Sequence, residues 1–265
     1  MEPGALETAP SGSGSFLSYT SMLIEAFDTG IVVRAGRHDT KEHPMLLNYL
    51  YKNFLEEGQF ADAVGTTRDE IVSLIESRVF PSPSYVYASK GRSTSFVSDH
   101  LDDRVYRFHL RGHIAWYRDV TQLGLKSEAG VCAHFFNRYD EARRSFLTSD
   151  LGEALKAEAP DVAGRFDADH AKTTWGHFLN GVYGVCTRDG RPESVFLKQA
   201  GVFFIEDMIA DGPDRLSTSQ TDLLRRAVEF LDGVESDFAP HEAPTASRQR
   251  CIVDVRARFF DRKAA

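Results

Sequence analysis

The chain has 265 residues, a formal net charge of −8 and an apolar fraction of 42%, which allows a sizeable core in one large domain or two modest ones. The negative charge argues against nonspecific binding to nucleic acid or to a membrane surface. The three cysteines have no paired spacing, so they predict neither a disulfide framework nor a cysteine-only zinc site, and they fit a reducing cytoplasm.

The N-terminal region predicts little regular structure. The first 15 residues are rich in Gly, Ser and Pro and predict disorder. Residues 16–27 follow as a candidate helix and residues 31–34 as a short strand. The sequence shows no signal-peptide pattern, and no stretch approaches the roughly 20 apolar residues of a membrane span. We therefore expect no association with a membrane.

Three amphipathic segments come next, and their lengths and the turns between them are typical of a helix-turn-helix: residues 45–57, 59–64 and 67–79. The first two meet at Gly58, and Gly65 with Thr66 turns the chain into the third. The third segment stands in the place of a recognition helix, yet it carries two basic against three acidic residues. DNA binding depends on neutralising phosphates, so the pattern predicts the shape of a DNA-binding unit without its charge.

The rest of the chain is mostly helical in pattern. Residues 85–87 predict a wing-like strand, and the polar stretch 90–103 predicts a linker. Ser217 and Gln220 form a capping box. Apolar residues at helical spacing predict seven further helices: residues 106–123, 131–146, 150–158, 169–186, 193–210, 218–234 and 247–260.

We therefore predict a mainly α fold, with a helix-turn-helix-like N-terminal unit and a C-terminal helical bundle. The predicted divisions are a disordered N-terminus, the helix-turn-helix-like unit, a linker and a helical domain that holds the site: residues 1–15, 16–89, 90–103 and 104–262.

The polar residues at the start of the last helix are the first candidate site. His241 beside Glu242 in a loop predicts a general acid–base pair, because a carboxylate can tune and orient a histidine. Arg248 and Arg250 near a helix N-terminus predict a clamp for a carboxylate or phosphate. Residues 247–265 hold six basic against two acidic residues. The alternative is an arginine-rich surface helix that is salt-bridged to the acidic body.

The helix predicted at residues 169–186 has a polar face opposite Trp175. Two glycines on that face each cost roughly 1 kcal/mol relative to alanine, so they indicate close approach of another helix or of a ligand. His177, Asn180 and Tyr183 would then line a pocket, with His177 as a further catalytic residue and Trp175 as a further binding residue. The alternative is a solvated face.

Histidine spacing raises a metal alternative. His109 and His113 are four residues apart, and His170 and His177 are seven apart, so each pair shares one face of a helix. Nine histidines in a helical chain also give such spacings by chance. We favour no metal, and the sequence leaves the cofactor unknown.

Two blocks of sequence carry a family resemblance: Trp175-x-x-Phe178-Leu179-Asn180-Gly181-Val182-Tyr183-Gly184-Val185-Cys186 with Pro192-Glu193, and Ala227-Val228-x-x-Leu231-Asp232 through Phe238-Ala239-Pro240-His241-Glu242 to Ser247-Arg248-x-Arg250. From Met45 onward the chain resembles a family of bacterial natural-product biosynthesis proteins with a domain of unknown function. Residues 65–85 also resemble the helix-turn-helix of merR-type regulators. The resemblance implies a setting in secondary metabolism and assigns no catalytic residue.

The first functional expectation is a cytoplasmic enzyme of natural-product biosynthesis that acts on a small anionic substrate by acid–base chemistry. The second is a ligand-responsive regulator or protein-interaction module that uses the helix-turn-helix-like unit. The third is a histidine-ligated metalloenzyme. We do not expect DNA or a membrane as partners, and a homodimer is one option for the oligomeric state.

Overall fold

A small antiparallel sheet packs with a larger set of helices in the computed structural model, which describes residues 42–212 and 216–261. The predicted disordered N-terminus, helix 16–27 and strand 31–34 lie outside the described residues. The mainly helical fold class is confirmed. Among the described helices, none combines the length and hydrophobicity needed to cross a lipid bilayer.

The first described elements are α1 (Glu42–Asn53), β1 (Phe54–Glu56), α2 (Glu57–Val64) and α3 (Arg68–Glu76). Helix α1 ends before Phe54, so the predicted helix 45–57 is too long. The reason is tertiary, because Phe54 pairs with Leu110 across the sheet and is buried. Helices α2 and α3 are joined by a short turn in which Gly65 is left-handed and Thr67 caps α3.

The sheet is completed by β2 (Tyr85–Thr94) and β3 (Asp99–Leu110), which form a long antiparallel hairpin, and the strand order is β1-β3-β2. The predicted strand 85–87 is confirmed and is longer than expected. The predicted linker 90–103 and the first part of the predicted helix 106–123 are wrong, because Tyr106, Phe108 and Leu110 alternate inward with period two. The division into an N-terminal unit and a helical domain stays a prediction.

The remaining helices follow the predicted pattern closely, and the capping box at Ser217 and Gln220 is confirmed. Their bounds are α4 (His113–Gln122), α5 (Glu128–Leu147), α6 (Asp150–Glu158), α7 (Ala168–Leu179), α8 (Val182–Cys186), α9 (Pro192–Met208) and α10 (Thr218–Val234). Two 3₁₀ turns span Pro160–Arg165 and Ala243–Thr245. The predicted last helix is present and contains two π-helical stretches, Gln249–Val253 and Arg256–Phe260.

The predicted helix 169–186 is interrupted at Gly181, which has a φ of 75°. A Cβ at Gly181 would lie 2.5 Å from the carbonyl oxygen of Ser82, and a Cβ at Gly184 would lie 3.2 Å from the Cβ of Ser84. The glycines therefore do mark a close approach. The element that approaches the glycines is the extended segment before β2. The sequence analysis expected another helix or a ligand in that place.

Aromatic side chains dominate the main core. The ring of Phe135 on α5 lies 4.6 Å from that of Phe178 and 5.6 Å from that of Trp175. Helix α9 runs through this core, with Phe196 and Phe204 fully buried. A second, smaller core on the other face of the sheet holds Leu50, Phe54, Phe108 and Leu110.

Two histidines are buried where the sheet meets α4. His109 and His113 are 0% and 1% exposed, and none of their ring nitrogens has a hydrogen-bond partner among the described residues. Nε2 of His109 lies 3.7 Å from Oε2 of Glu57. Burial, and then the neighbouring His109, lower the pKa of His113 from 6.5 to about 3. A neutral His113 is therefore built into the fold, packed against the left-handed Gly190.

Alanine at the helix break should destabilise the protein. We expect Gly181→Ala to lower the free energy of unfolding by at least about 2 kcal/mol. The alanine would have to adopt a left-handed backbone conformation, and its Cβ would be too close to the backbone before β2. Gly176→Ala, on the same helix with nothing within 4 Å of the added Cβ, should instead stabilise by roughly 0.5–1 kcal/mol. Urea unfolding measures both, and equal effects would contradict this account of the break.

Acid should unfold the protein through His113. The unfolded chain takes up a proton near pH 6.5 and the folded protein only near pH 3. Stability from this group is therefore complete above pH 6.5 and falls as the pH drops, by roughly 3 kcal/mol on reaching pH 4. His113→Leu should remove this part of the pH dependence, and the exposed His100→Gln should leave it unchanged. The free energy of unfolding is measured for each protein across this pH range. If it fell equally with pH in wild type and His113→Leu, His113 would not be the group responsible.

Candidate functional site

A short antiparallel bridge joins the end of α8 to the end of α10. Thr187 pairs with Glu235, and the backbone N–H of Arg188 donates to the carbonyl of Val234 at 3.1 Å. These bonds satisfy backbone groups that the ends of the helices leave open. The bridge therefore fixes the point at which each chain segment leaves its helix.

A cavity of about 130 Å³ opens beside this bridge, between the sheet and the helical part. Its volume is close to the roughly 150 Å³ of an engineered cavity that binds benzene. The wall combines aromatic and aliphatic side chains with one guanidinium and one carboxylate. The lining includes Tyr49, Phe54, Leu110, Gly184, Arg188 and Asp237.

Four side chains form a line of contacts that begins at the cavity with Tyr49: Tyr49, Tyr85, Glu242 and His241. We call them the acid–base cluster. The hydroxyl of Tyr85 donates to Oε2 of Glu242 at 2.6 Å, and Nε2 of His241 lies 3.8 Å from Oε1 of the same carboxylate. The ring of Tyr49, a lining residue, lies 6.1 Å from that of Tyr85. Tyr49 thus connects the cavity to the rest of the cluster.

The two tyrosines stay protonated at neutral pH. Burial raises the pKa of Tyr49 to about 12, although a hydrogen bond with Tyr85 opposes the change. Burial, followed by the negative charge of Glu242, also raises the pKa of Tyr85. The Tyr85 phenol is therefore a fixed donor that holds the Glu242 carboxylate. The imidazole of His241 is half-exposed and is the member of the cluster most open to solvent.

Arg188 supplies the positive charge at the cavity. Its backbone is held by the bridge, and its guanidinium donates to the carbonyl of Asp232 at 3.0 Å. Within the described residues no carboxylate forms an ion pair with it. The exposed guanidinium can therefore take a carboxylate from outside by paired hydrogen bonds.

A second cavity, of about 180 Å³, lies between α10 and the C-terminal residues. Arg225 stacks over the ring of Phe260 at 4.3 Å, and Arg256, Glu229 and Asp261 share the wall with it. Two basic and two acidic residues therefore line this cavity. The first cavity is the better candidate, because Tyr49 connects it to the acid–base cluster.

The predicted acid–base residues are in contact. His241 and Glu242 lie in the loop before the turn Ala243–Thr245, where adjacent side chains can meet. Tyr85, their third partner, is 157 residues from Glu242 in the chain, and no sequence pattern joins the two positions. The catalytic role of the pair stays a prediction.

The predicted anion clamp is already occupied by the protein's own carboxylates. Arg248 donates to Oδ1 of Asp232 at 2.5 Å and lies 3.3 Å from Oδ1 of Asp237. Arg250 donates to Oε1 of Glu206 at 2.9 Å. These are the contacts of the alternative, an arginine-rich helix that is salt-bridged to the acidic body, and Arg248 holds Asp232 and Asp237. A role of Arg248 and Arg250 in binding an anion stays a prediction.

The predicted pocket residues of the helix 169–186 separate. Trp175 packs in the core and donates from its indole to Glu128 at 3.0 Å. Tyr183 is buried, and its hydroxyl accepts a hydrogen bond from Gln199 at 2.7 Å. Asn180 is exposed at the end of α7. The helix break at Gly181 turns these side chains in different directions, so they do not line one pocket.

His177 is the remaining member of that predicted set. It is half-buried, its ring lies 6.1 Å from that of Tyr183, and burial lowers its pKa. Its positive neighbour Lys198, on α9, acts in the same direction. His177 therefore belongs to the interior around α9 and is not among the residues that line the cavity beside the bridge.

A buried carboxylate that the sequence analysis missed lies under the bridge. Glu235 is 0% exposed, accepts a hydrogen bond from Ser247 and lies 3.8 Å from Nζ of Lys198. Burial raises its pKa, and the charge of Lys198 opposes that change. The signal in the sequence was Lys198 itself, a charged residue in the middle of an apolar helix.

The four histidines of the metal alternative do not assemble. His109 and His113 lie in the junction of the sheet with α4, whereas the ring of His170 lies 5.5 Å from that of Phe203 on α9. In the described part of the chain, no group of three or more His, Cys, Asp or Glu side chains is arranged to hold a metal ion.

Comparison with known proteins gives one match. The family of unknown function DUF6058 matches residues 131–260, which run from α5 to the end of the second π-helical stretch. No curated protein and no solved structure matches the chain. The matched region includes the bridge, Arg188, His241 and Glu242, whereas Tyr49 and Tyr85 precede it.

The two arginines should differ in their effect on stability. We expect Arg248→Ala to lower the free energy of unfolding by roughly 2 kcal/mol, because it removes bonds to two carboxylates in a partly buried site. Arg250→Ala should cost less than about 1 kcal/mol, since its side chain is 49% exposed. Urea unfolding of the two variants checks this order, and the reverse order would contradict the positioning role of Arg248.

Proposed function

We propose that this protein is an enzyme of natural-product biosynthesis that binds a small organic anion in the cavity at Arg188 and uses His241 as its general base. The observation that carries the proposal is the chain of contacts from Tyr85 through Glu242 to His241. Tyr49 links that chain to a cavity with an unpaired guanidinium.

The charge and size of the cavity support a small anionic substrate. Arg188 is the basic residue of the lining, and the acidic lining residue, Asp237, is already paired with Arg248. An arginine fork matches a carboxylate in geometry. A volume of about 130 Å³ suits a small acid or the acidic end of a larger molecule. The apolar wall at Phe54 and Leu110 would cover the carbon skeleton.

The acid–base cluster supports proton transfer. A histidine oriented by a carboxylate, which is in turn held by a third group, is a recurring arrangement for a general base. Here Glu242 would orient His241, and the Tyr85 phenol would hold Glu242. His241 would take a proton from the substrate and return it to solvent or to product, so no cofactor is required for this step.

The setting of the proposal comes from the family resemblance in the sequence. The match to a family of unknown function agrees with an uncharacterised family and leaves the biosynthetic role as a proposal. A cytoplasmic location is part of the same proposal, and the free thiols of Cys132, Cys186 and Cys251 support it.

A second candidate function is a regulator or interaction module. It is favoured by α2 and α3, two short helices joined by the turn at Gly65, as in a merR-like helix-turn-helix. The first turn of α3 carries Asp69 and Glu70, so a basic protein partner fits this unit better than DNA. Duplex DNA binding that weakens steeply with salt would favour the regulator over the enzyme.

The anion site is tested with benzoate as the probe. We expect benzoate to shift amide resonances of residues 186–188 and 235–238, and Arg188→Gln to weaken its affinity by roughly tenfold or more, the loss of one charge-assisted pair. Arg144→Gln, at an exposed arginine on α5, is the matched control and should bind as wild type does. Shifts confined to other regions, or equal affinity in both variants, would rule out the site.

The general base is tested with pyruvate in heavy water. Removal of a proton from the methyl carbon and its replacement by deuterium needs only a base and a held carboxylate. We expect the protein to accelerate this exchange, His241→Gln to abolish it and Tyr85→Phe to reduce it while benzoate still binds. Wild-type protein that binds benzoate but exchanges neither pyruvate nor larger 2-oxo acids would contradict the acid–base role.

A further inference from the structure

The outer part of the β2–β3 hairpin stands apart from the rest of the protein. We call residues 86–105 the arm. Polar contacts of residues 88–105 within the described chain run inside the hairpin, such as Lys90 to Asp103 and Arg92 to Asp99. At about 3.3 Å per residue, strands of this length reach roughly 25 Å. The arm therefore projects from the protein.

Exposed apolar side chains concentrate on the arm. Direct pairing of Ala88 with Val105 and of Arg92 with Leu101 puts these side chains on one face of the sheet. The fully exposed Phe96 lies in the turn at the tip. Five of the nine large hydrophobic residues that are exposed in the described chain belong to the arm: Val86, Phe96, Val97, Leu101 and Val105.

Such an arm needs a partner on physical grounds. A two-stranded hairpin alone in water is only marginally stable, and a long edge strand with apolar side chains is a template for pairing with another chain. Exposed apolar side chains that cluster mark an interaction site more often than isolated residues do. On this face Leu101 and Val105 flank the Lys90–Asp103 ion pair. Nothing among the described residues covers the face that carries Leu101 and Val105, which are 74% and 49% exposed.

The charges on the arm indicate which partner fits. It carries three basic residues, Lys90, Arg92 and Arg104, and three acidic ones, Asp99, Asp102 and Asp103, so it is neutral. Two copies of a chain with net charge −8 repel each other over most of their surface. The arm has no net charge, carries basic and acidic side chains, and exposes apolar ones. It is therefore the place where one copy can approach another. Its neutrality also argues against DNA.

We propose that the arm is a dimerisation arm, which packs by its apolar face and tip against the arm of a second copy of this chain. The contact would be isologous, with the same patch on both copies. One face and the tip of the 20-residue arm would contact the partner, so the interface is smaller than the standard one, to which each side contributes roughly 20–30 residues. The proposal is independent of the anion site.

Sedimentation equilibrium of the full chain tests the arm. We expect a wild-type dimer, and a dimer dissociation constant at least roughly tenfold higher, about 1.4 kcal/mol, for the double variant Leu101→Thr with Val105→Thr. Threonine keeps the strand preference of the hairpin and removes apolar surface without adding charge. Unchanged circular dichroism and a cooperative urea unfolding transition show that the variant is folded.

Leu123→Thr is the matched control, because Leu123 is 58% exposed but lies at the end of α4. It should form the dimer as wild type does. A monomeric wild type at concentrations well above micromolar would overturn the proposal. A double variant that dimerises as tightly as wild type, or a Leu123→Thr variant that alone dissociates, would also overturn it.

Discussion

The bridge between Thr187 and Glu235 is the contact on which the rest of the candidate site depends. It joins two helix ends that are far apart in the chain, and the carboxylate beneath it is fully buried. Ser247 and Lys198 share one oxygen of that carboxylate, and the other has no partner among the described residues. A buried charge is costly unless it is paired, so α9, α10 and the C-terminal helix are held in one arrangement around Glu235.

This arrangement decides which arginine is available to a ligand. Arg248 is used within the protein, because Asp232 and Asp237 flank it. Arg188 donates to the carbonyl of the same Asp232 and keeps its guanidinium free of carboxylates in the described chain. The hydrogen bond from Tyr85 to Glu242 then connects the sheet to the C-terminal loop. The cavity therefore holds the Arg188 guanidinium and Tyr49, and Tyr49 leads through Tyr85 and Glu242 to His241.

Local signals in the sequence predict the helices well and the convergence poorly. The capping box at Ser217 is a local pattern and fixes the start of α10. The sequence predicts a helix from residue 106 because Tyr106, Phe108 and Leu110 form a short apolar run, which fits a helix or a strand. Pairing with β2 makes these residues a strand. Contact between His241 and Glu242 follows from their adjacency in a loop. The site also includes Tyr85, Arg188 and Glu235. These residues reach it through contacts between distant chain segments, and no local pattern in a single sequence predicts such contacts.

We propose that Arg188 and the acid–base cluster serve one anion-binding cavity. A crystal structure of the protein with bound benzoate would test this directly. We expect the benzoate carboxylate within hydrogen-bonding distance of the Arg188 guanidinium, with the ring against Phe54 and Leu110 and one edge facing Tyr49. Benzoate bound at Arg225 and Arg256 instead, with the cavity beside the bridge filled by protein side chains, would contradict it.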